Sequence, residues 1–112
     1  MAARAKALRI AGSSESVFKS LFATGYVAPK WKFQKDNFDP SNREQQANRE
    51  GVLLWRLGVV SLSYGEFEVT VASAQQPVIE AETPVRLSGL TIGGGASGLW
   101  FAADAISLAA AA

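Results

Sequence analysis

The stretch VLLWRLGVVSLSYGEFEVTVA, residues 52–72, decides the fold of this chain. In its second half Phe67, Val69 and Val71 alternate with polar residues, which is the period of a half-buried strand. Its first half is a dense apolar run broken by Arg56 and Gly58. The SYG triplet at 63–65 is typical of a tight hairpin turn. The stretch therefore predicts two adjacent antiparallel strands, residues 52–62 and 66–72.

Three further strand-like segments flank this hairpin, at residues 16–26, 84–92 and 99–106. The glycine-rich stretch 93–98 predicts a hairpin loop between the last two, and the connection around Pro77 predicts a crossing. Five strands in this rhythm predict an all-β fold, a five-stranded OB-like barrel. A five-stranded SH3-like barrel or a small sandwich fits the same pattern.

Polar and turn-forming residues dominate positions 36–51, which predicts a long loop between the first and second strands. Residues 1–14 are interpreted as a flexible basic N-terminal arm that forms no strand. Residues 15–108 are interpreted as one OB-like barrel domain. A chain of 112 residues has the length of a single domain.

The chain contains no histidine and no cysteine. Histidine is the commonest general base near neutral pH, and the two residues together supply most zinc sites and most nucleophile–base pairs. Composition therefore argues against an enzyme and predicts no cofactor and no metal. Asp36, Asp39 and Glu44 do not have the spacing of a calcium loop.

No apolar run approaches the ~18 residues that a membrane span needs. The basic start of the chain is not followed by the apolar stretch of a secretory signal. We therefore expect a cytoplasmic protein that binds no membrane. Charge is unevenly distributed, with seven basic residues and one acid in residues 1–35 but one basic residue and five acids in residues 57–112. This asymmetry indicates a positive region able to meet an anion, although two solvated ends would give the same pattern.

Aromatic and lysine side chains interleave in the lysine-flanked segment, residues 25–35. Single-stranded nucleic acid binds to such combinations, because aromatic rings stack on bases while cations follow the phosphates. An amphipathic edge strand with Trp31 and Phe33 in the core explains the pattern equally simply. The predicted nucleic-acid-binding residues are Tyr26, Lys30, Trp31, Lys32, Phe33, Lys35, Arg43, Arg49 and Arg56. Trp55 and Trp100 are interpreted as residues of the core or of the barrel rim.

Three stretches carry a family resemblance: PKWKFQKD at 29–36, GVLLWR at 51–56, and PVRLSGL at 84–90 with FAADAI at 101–106. Together they resemble small OB-like proteins of actinobacterial plasmids, integrative elements and phages. More distantly they resemble the helix-destabilising single-stranded DNA-binding proteins of filamentous phages. The resemblance implies a DNA-associated role in replication or transfer. The Ala-rich, neutral C-terminus departs from the acidic recruiting tail of bacterial single-strand-binding proteins.

Two functional hypotheses follow. The first is a single-stranded DNA-binding protein with little sequence preference, acting as a homo-oligomer in the replication or transfer of a mobile element or phage. The second is a phage or virion structural or assembly protein built on a small β domain. Fold alone does not separate them.

Overall fold

The computed structural model describes residues 7–9, 18, 20–32, 43–95 and 98–108. These residues form an all-β structure, as the sequence predicts. They contain no helix, and hence no helix that could span a membrane. The strands are β1 (Ala7–Arg9), β2 (Leu21–Pro29), β3 (Leu54–Ser61), β4 (Gly65–Ala72), β5 (Val85–Ser88), β6 (Thr91–Gly95), β7 (Gly98–Ala103) and β8 (Ala105–Leu108).

The hairpin predicted from residues 52–72 is confirmed. β3 and β4 pair antiparallel without interruption from Leu54–Ala72 to Ser61–Gly65. Residues 62–64 form the turn, and Gly65 supplies the positive φ that follows it. The alternation puts Leu57, Val59 and Val69 in the core, each at most 2% exposed.

Strand pairing gives a mixed six-stranded sheet in the order β1-β6-β7-β4-β3-β2, and a separate two-stranded sheet of β5 and β8. Phe22 of β2 also bridges to Pro84, and Thr83 O accepts a hydrogen bond of 2.9 Å from Ala23 N. Among the described residues the six-stranded sheet is open, with β1 and β2 at its edges. The closed five-stranded barrel expected from the sequence is therefore not confirmed.

The strands predicted at 84–92 and 99–106 are each divided in two. Gly89, with φ +62°, separates β5 from β6, and Asp104 separates β7 from β8. A Cβ on Gly89 would fall 2.1 Å from the Asp104 carboxylate, so the two interruptions lie against each other. The glycine-rich stretch also differs from the loop predicted for it, because Gly93–Gly95 belong to β6 and Gly98 begins β7.

Strand β1 lies inside the stretch that the sequence assigns to an arm without strands. It pairs antiparallel with β6, from Ala7–Gly93 to Arg9–Thr91. The Arg9 guanidinium binds the Asp104 carboxylate at 2.5 Å. The hydrogen bond to Asp104, and then its negative charge, raise the pKa of Arg9. This ion pair links β1 to the interruption between β7 and β8; the rest of residues 1–14 lies outside the described residues.

The core lies between the inner faces of these strands. Leu87 and Leu90 are completely buried, and Trp55 is 7% exposed, as its core interpretation predicts. The Trp55 indole Nε1 donates a 2.9 Å hydrogen bond to Ser73 O, which satisfies the polar end of the buried ring. Phe18, Phe67 and Phe101 pack at the other end, with ring centroids 4.5–6.0 Å apart.

The chain from β2 to β3 includes the predicted loop, and its described part is paired to the strands. Gln45 bridges to Trp31, and Ala47 bridges to Leu53. Gln46 N donates to Lys30 O at 2.7 Å and Gln46 O accepts from Leu54 N at 2.8 Å. Residues 44–47 therefore lie between the end of β2 and the start of β3 and form hydrogen bonds with both.

Candidate nucleic-acid interface

A groove opens on the outer face of the large sheet, where β4 and β7 separate. These two strands pair in parallel only at Thr70–Ala102 and Val71–Ala103 among the described residues. Towards Glu66 and Leu99 they diverge, which leaves a solvent-open groove of about 920 Å³. We define the groove by six of its lining residues, drawn from both sides and from the β3–β4 turn: Tyr26, Lys30, Arg56, Tyr64, Glu68 and Trp100.

Aromatic rings are concentrated in this groove. Tyr26 is 44% exposed, Tyr64 51% and Trp100 44%. Trp31 is the remaining exposed aromatic residue in the described part of the chain. Exposed rings that gather in one concave site indicate a ligand surface more strongly than scattered exposure does. Phe67 and Phe101 also line the groove, so its floor is apolar.

A bulge in β2 places Tyr26 on the groove. Between the Ala23–Val59 and Val27–Leu57 pairs, three residues of β2 face the single residue Gly58 of β3. A Cβ on Gly58 would lie 2.3 Å from Thr24 Oγ1 and 3.1 Å from Tyr26 Cβ. A side chain at position 58 would therefore force Thr24 or the bulged strand to move.

Arg56 contacts two other side chains of the groove. Its Nη2 donates to the Tyr26 hydroxyl at 3.0 Å, and its Nη1 lies 3.6 Å from Glu68 Oε1. The Arg56 Nε is buried and has no hydrogen-bond partner among the described residues. The guanidinium thus lies between an aromatic hydroxyl and a carboxylate.

Charge in the groove is balanced. Lys30 and Arg56 contribute two positive charges, and Glu66 and Glu68 contribute two negative charges. A groove of this composition attracts phosphate only weakly at long range, so its rings and hydrogen-bonding groups must supply most of the binding energy.

Trp100 is positioned by the glycine opposite it. Gly93 of β6 pairs with Trp100 of β7, and the indole ring lies over Gly93. A Cβ on Gly93 would fall 2.0 Å from the ring atoms Cε2 and Cζ2. Only glycine allows the indole to lie this close to the sheet.

The structure divides the predicted binding residues into two groups. Tyr26, Lys30 and Arg56 line the groove. Trp31, Lys32, Arg43 and Arg49 do not line it, and Phe33 and Lys35 lie outside the described residues.

In the second set of residues, several charged and aromatic side chains that could bind nucleic acid already contact other side chains of the protein. The Arg43 guanidinium lies 4.6 Å from the Trp31 ring centroid, a cation–π arrangement. Lys32 Nζ lies 3.0 Å from Glu44 Oε1. Trp31 is 39% exposed, so it is not a core residue, and Arg49 is exposed in the turn that Asn48 begins.

Trp100, Tyr64, Glu66 and Glu68 line the groove but are absent from the residues predicted from the sequence. The alternation in residues 99–106 separates Trp100 from Phe101 and Ala103, and that signal places Trp100 on the face opposite the core. The interpretation of Trp100 as a residue of the core or of the barrel rim disregards that alternation. The exposed ring shows that it belongs to the outer face.

No group of three or more metal-binding side chains occurs in the described ranges. No family model, no curated protein and no solved structure matches the chain. The resemblance to proteins of mobile elements therefore remains a prediction, and the groove is interpreted from its own residues.

Proposed function

We propose that the chain is a single-stranded DNA-binding protein with little sequence preference, and that the groove is its binding site. The main support is that three exposed aromatic rings, those of Tyr26, Tyr64 and Trp100, line one open groove. Lys30 and Arg56 line the same groove. Base stacking on such rings contributes about 1–3 kcal/mol per base, and it tolerates any sequence because every base has a π-face.

The order of the strands supports an OB-like plan for the domain. β2, β3 and β4 form a meander, β7 follows in parallel beside β4, and β6 lies beyond β7. The Phe22–Pro84 bridge leads from the start of β5 back to β2. If β5 with β6 and β7 with β8 are taken as two bent strands, this is the order of a five-stranded OB barrel. The second and third strands of that plan are β3 and β4, whose outer face carries the groove, and this is the face on which OB folds bind oligonucleotides.

The proposed role in the replication or transfer of a mobile element rests on the family resemblance, and no catalytic role is proposed. The sequence lacks histidine, the commonest general base near neutral pH.

Titration of tryptophan fluorescence with a mixed-sequence single-stranded oligonucleotide tests the proposal. The oligonucleotide should exceed the ~4–16 nucleotides that one OB domain covers. If Lys30 and Arg56 alone contact phosphates, the slope of log K against log salt should be about −1.4. If Lys32, Arg43 and Arg49 contribute as well, the slope should approach about −3.5. Absence of binding at low salt, or binding that ignores salt, refutes the proposal.

A matched pair of variants distinguishes the groove from the lysine-flanked segment. Trp100→Ala should weaken binding by about 1–3 kcal/mol, because it removes a stacking ring. Trp31→Ala should leave the affinity within about twofold, because that ring lies outside the groove and is already covered by Arg43. The opposite result places the site on the lysine-flanked segment. Far-ultraviolet circular dichroism of both variants controls for loss of fold.

An assembly role is the second candidate, and a different observation favours it. Leu8, Leu62, Val78 and Leu108 are each more than 60% exposed, and none of them lines the groove. Exposed apolar side chains and the edge strand β1 provide surfaces that further copies of the chain could cover. Light scattering without DNA tests this role: a large closed assembly supports it, and a monomer at micromolar concentration argues against it.

A further inference from the structure

We infer that Arg56 positions the Tyr26 ring for base stacking and does not itself bind phosphate. The inference rests on the proposed function, to which it adds different roles for the two cations of the groove, Arg56 and Lys30. Contacts within the protein hold both ends of the Tyr26 side chain, and one of these contacts occupies the guanidinium of Arg56.

The Tyr26 side chain is anchored at its backbone end and at its hydroxyl. At the backbone end the bulge in β2 lays it over Gly58, where an added Cβ would lie 3.1 Å from Tyr26 Cβ. Tyr26 N also donates a 3.4 Å hydrogen bond to Thr24 Oγ1 within the bulge. At the other end the hydroxyl accepts a 3.0 Å hydrogen bond from Arg56 Nη2. The ring between these two anchors is still 44% exposed, so a base can reach it without reorienting it.

The guanidinium of Arg56 has no edge free of protein contacts, although the side chain is 41% exposed. Arginine binds phosphate most strongly through two parallel N–H groups on one edge of the guanidinium. One edge includes Nε, which is buried. The two nitrogens of the other edge face the Tyr26 hydroxyl and, at 3.6 Å, Glu68 Oε1. A phosphate would have to displace one of these groups, and the Glu68 carboxylate already offsets the charge that would attract it.

Lys30 is the groove cation that remains for phosphate. It lines the same groove, and it forms no ion pair within the described part of the chain. Its backbone N–H and C=O pair with Leu54 and Gln46, which fixes its place at the end of β2. An ammonium binds phosphate as a point charge and needs no planar edge. In this arrangement Lys30 attracts the phosphate, and Arg56 keeps the Tyr26 ring oriented for the base.

A double-mutant cycle between Arg56 and Tyr26 tests the positioning role, with the mixed-sequence single-stranded oligonucleotide as ligand. Arg56→Met is combined with Glu68→Gln, and this neutral-pair variant keeps the net charge of the groove unchanged. It should bind about threefold to tenfold more weakly than the native chain, because the freed ring must be immobilised when a base stacks on it. In the Tyr26→Phe background the same two substitutions should change the affinity by less than about twofold, because the hydrogen bond to the ring is already absent.

Salt dependence distinguishes positioning from phosphate binding. The slope of log K against log salt should be the same for the neutral-pair variant and the native chain. Lys30→Met is the matched control, because it removes a groove cation that has no carboxylate partner, and it should reduce the magnitude of the slope by about 0.7. Equal thermal midpoints of the variants show that the fold is intact.

Nuclear magnetic resonance measures the orientation of the ring without DNA. Three-bond couplings of Tyr26 should show one χ1 rotamer in the native chain and an average over rotamers in the neutral-pair variant. Rotamer averaging in the native chain overturns the positioning role. An equal loss of affinity in both backgrounds, or a slope reduced as in Lys30→Met, shows that Arg56 binds phosphate directly; the inference is then wrong while the proposed function stands. If the oligonucleotide does not bind to the native chain at low salt, the proposed function fails and the inference falls with it.

Discussion

Gly93→Ala is expected to destabilise the protein by driving the Trp100 ring off the sheet. An added Cβ would lie 2.0 Å from the indole atoms Cε2 and Cζ2. Carbon atoms in ordinary contact are about 3.5–4.0 Å apart, so the ring must retreat by about 1.5–2 Å. A rigid indole cannot absorb that displacement by bending, and it must change rotamer or lift away.

The size of the effect follows from two opposing contributions. Overpacking of this kind costs about 1–3 kcal/mol. Replacing glycine by alanine also restricts the unfolded chain, which stabilises by about 0.4–1 kcal/mol. The φ angle of Gly93 is not positive, so backbone strain adds nothing. The net loss in the free energy of unfolding should be about 1–2 kcal/mol.

Urea unfolding followed by circular dichroism measures this loss. With an m-value of about 2 kcal/mol/M, the midpoint should fall by about 0.5–1 M. Gly94→Ala is the matched control in the same strand, because its Cβ would lie at an ordinary 3.7 Å from Leu99 Cδ2. That variant should be as stable as the native chain or slightly more stable.

A double-mutant cycle with Trp100→Ala isolates the clash. In the Trp100→Ala background no ring remains to be displaced, so Gly93→Ala should stabilise by about 0.4–1 kcal/mol. The coupling energy should therefore be about 1–3 kcal/mol. If Gly93→Ala costs nothing alone, or costs the same in both backgrounds, the placement of the indole over Gly93 is wrong.

Three further predictions concern stability. Leu57→Ala should cost about 2–5 kcal/mol in urea unfolding, because Leu57 is 2% exposed and its removal leaves a cavity. Trp55→Phe should lower the free energy of unfolding by about 1–3 kcal/mol in the same assay, because the Ser73 carbonyl loses its 2.9 Å hydrogen bond from the indole. An unchanged urea midpoint would show that this hydrogen bond contributes nothing to stability. Arg9→Gln should lower the thermal midpoint by the same amount at neutral pH and at about pH 10. Asp104 raises the pKa of Arg9, so the guanidinium keeps its stabilising charge until the pH rises through that raised pKa. A smaller loss of thermal midpoint at pH 10 than at neutral pH contradicts this prediction.

The β3–β4 hairpin could be predicted because its signals are local. Apolar and polar residues alternate clearly in β4, and a three-residue turn separates it from β3. The burial of Trp55 follows from the same apolar run. Each of these features depends on residues close together in the sequence, where alternation and turn chemistry act directly.

The candidate site was predicted only in part, because a period of two separates the two faces of a strand without saying which face is covered. Trp100 is surrounded by apolar residues on both sides of the alternation. It became a groove residue because β4 and β7 diverge beside it and because Gly93 leaves room for its ring. Both causes lie on strands that are distant in sequence.

The sequence by itself determined that this protein is all-β, that residues 52–72 form its central hairpin, and that it has no histidine or cysteine for chemistry. Tertiary structure alone decided that Ala7–Arg9 becomes an edge strand, that Gly89 and Asp104 interrupt the final hairpin, and which aromatic rings face one groove. The physical reason is that local patterns fix the conformation of each strand, whereas neighbouring strands far along the chain decide which faces are buried and where the sheet opens.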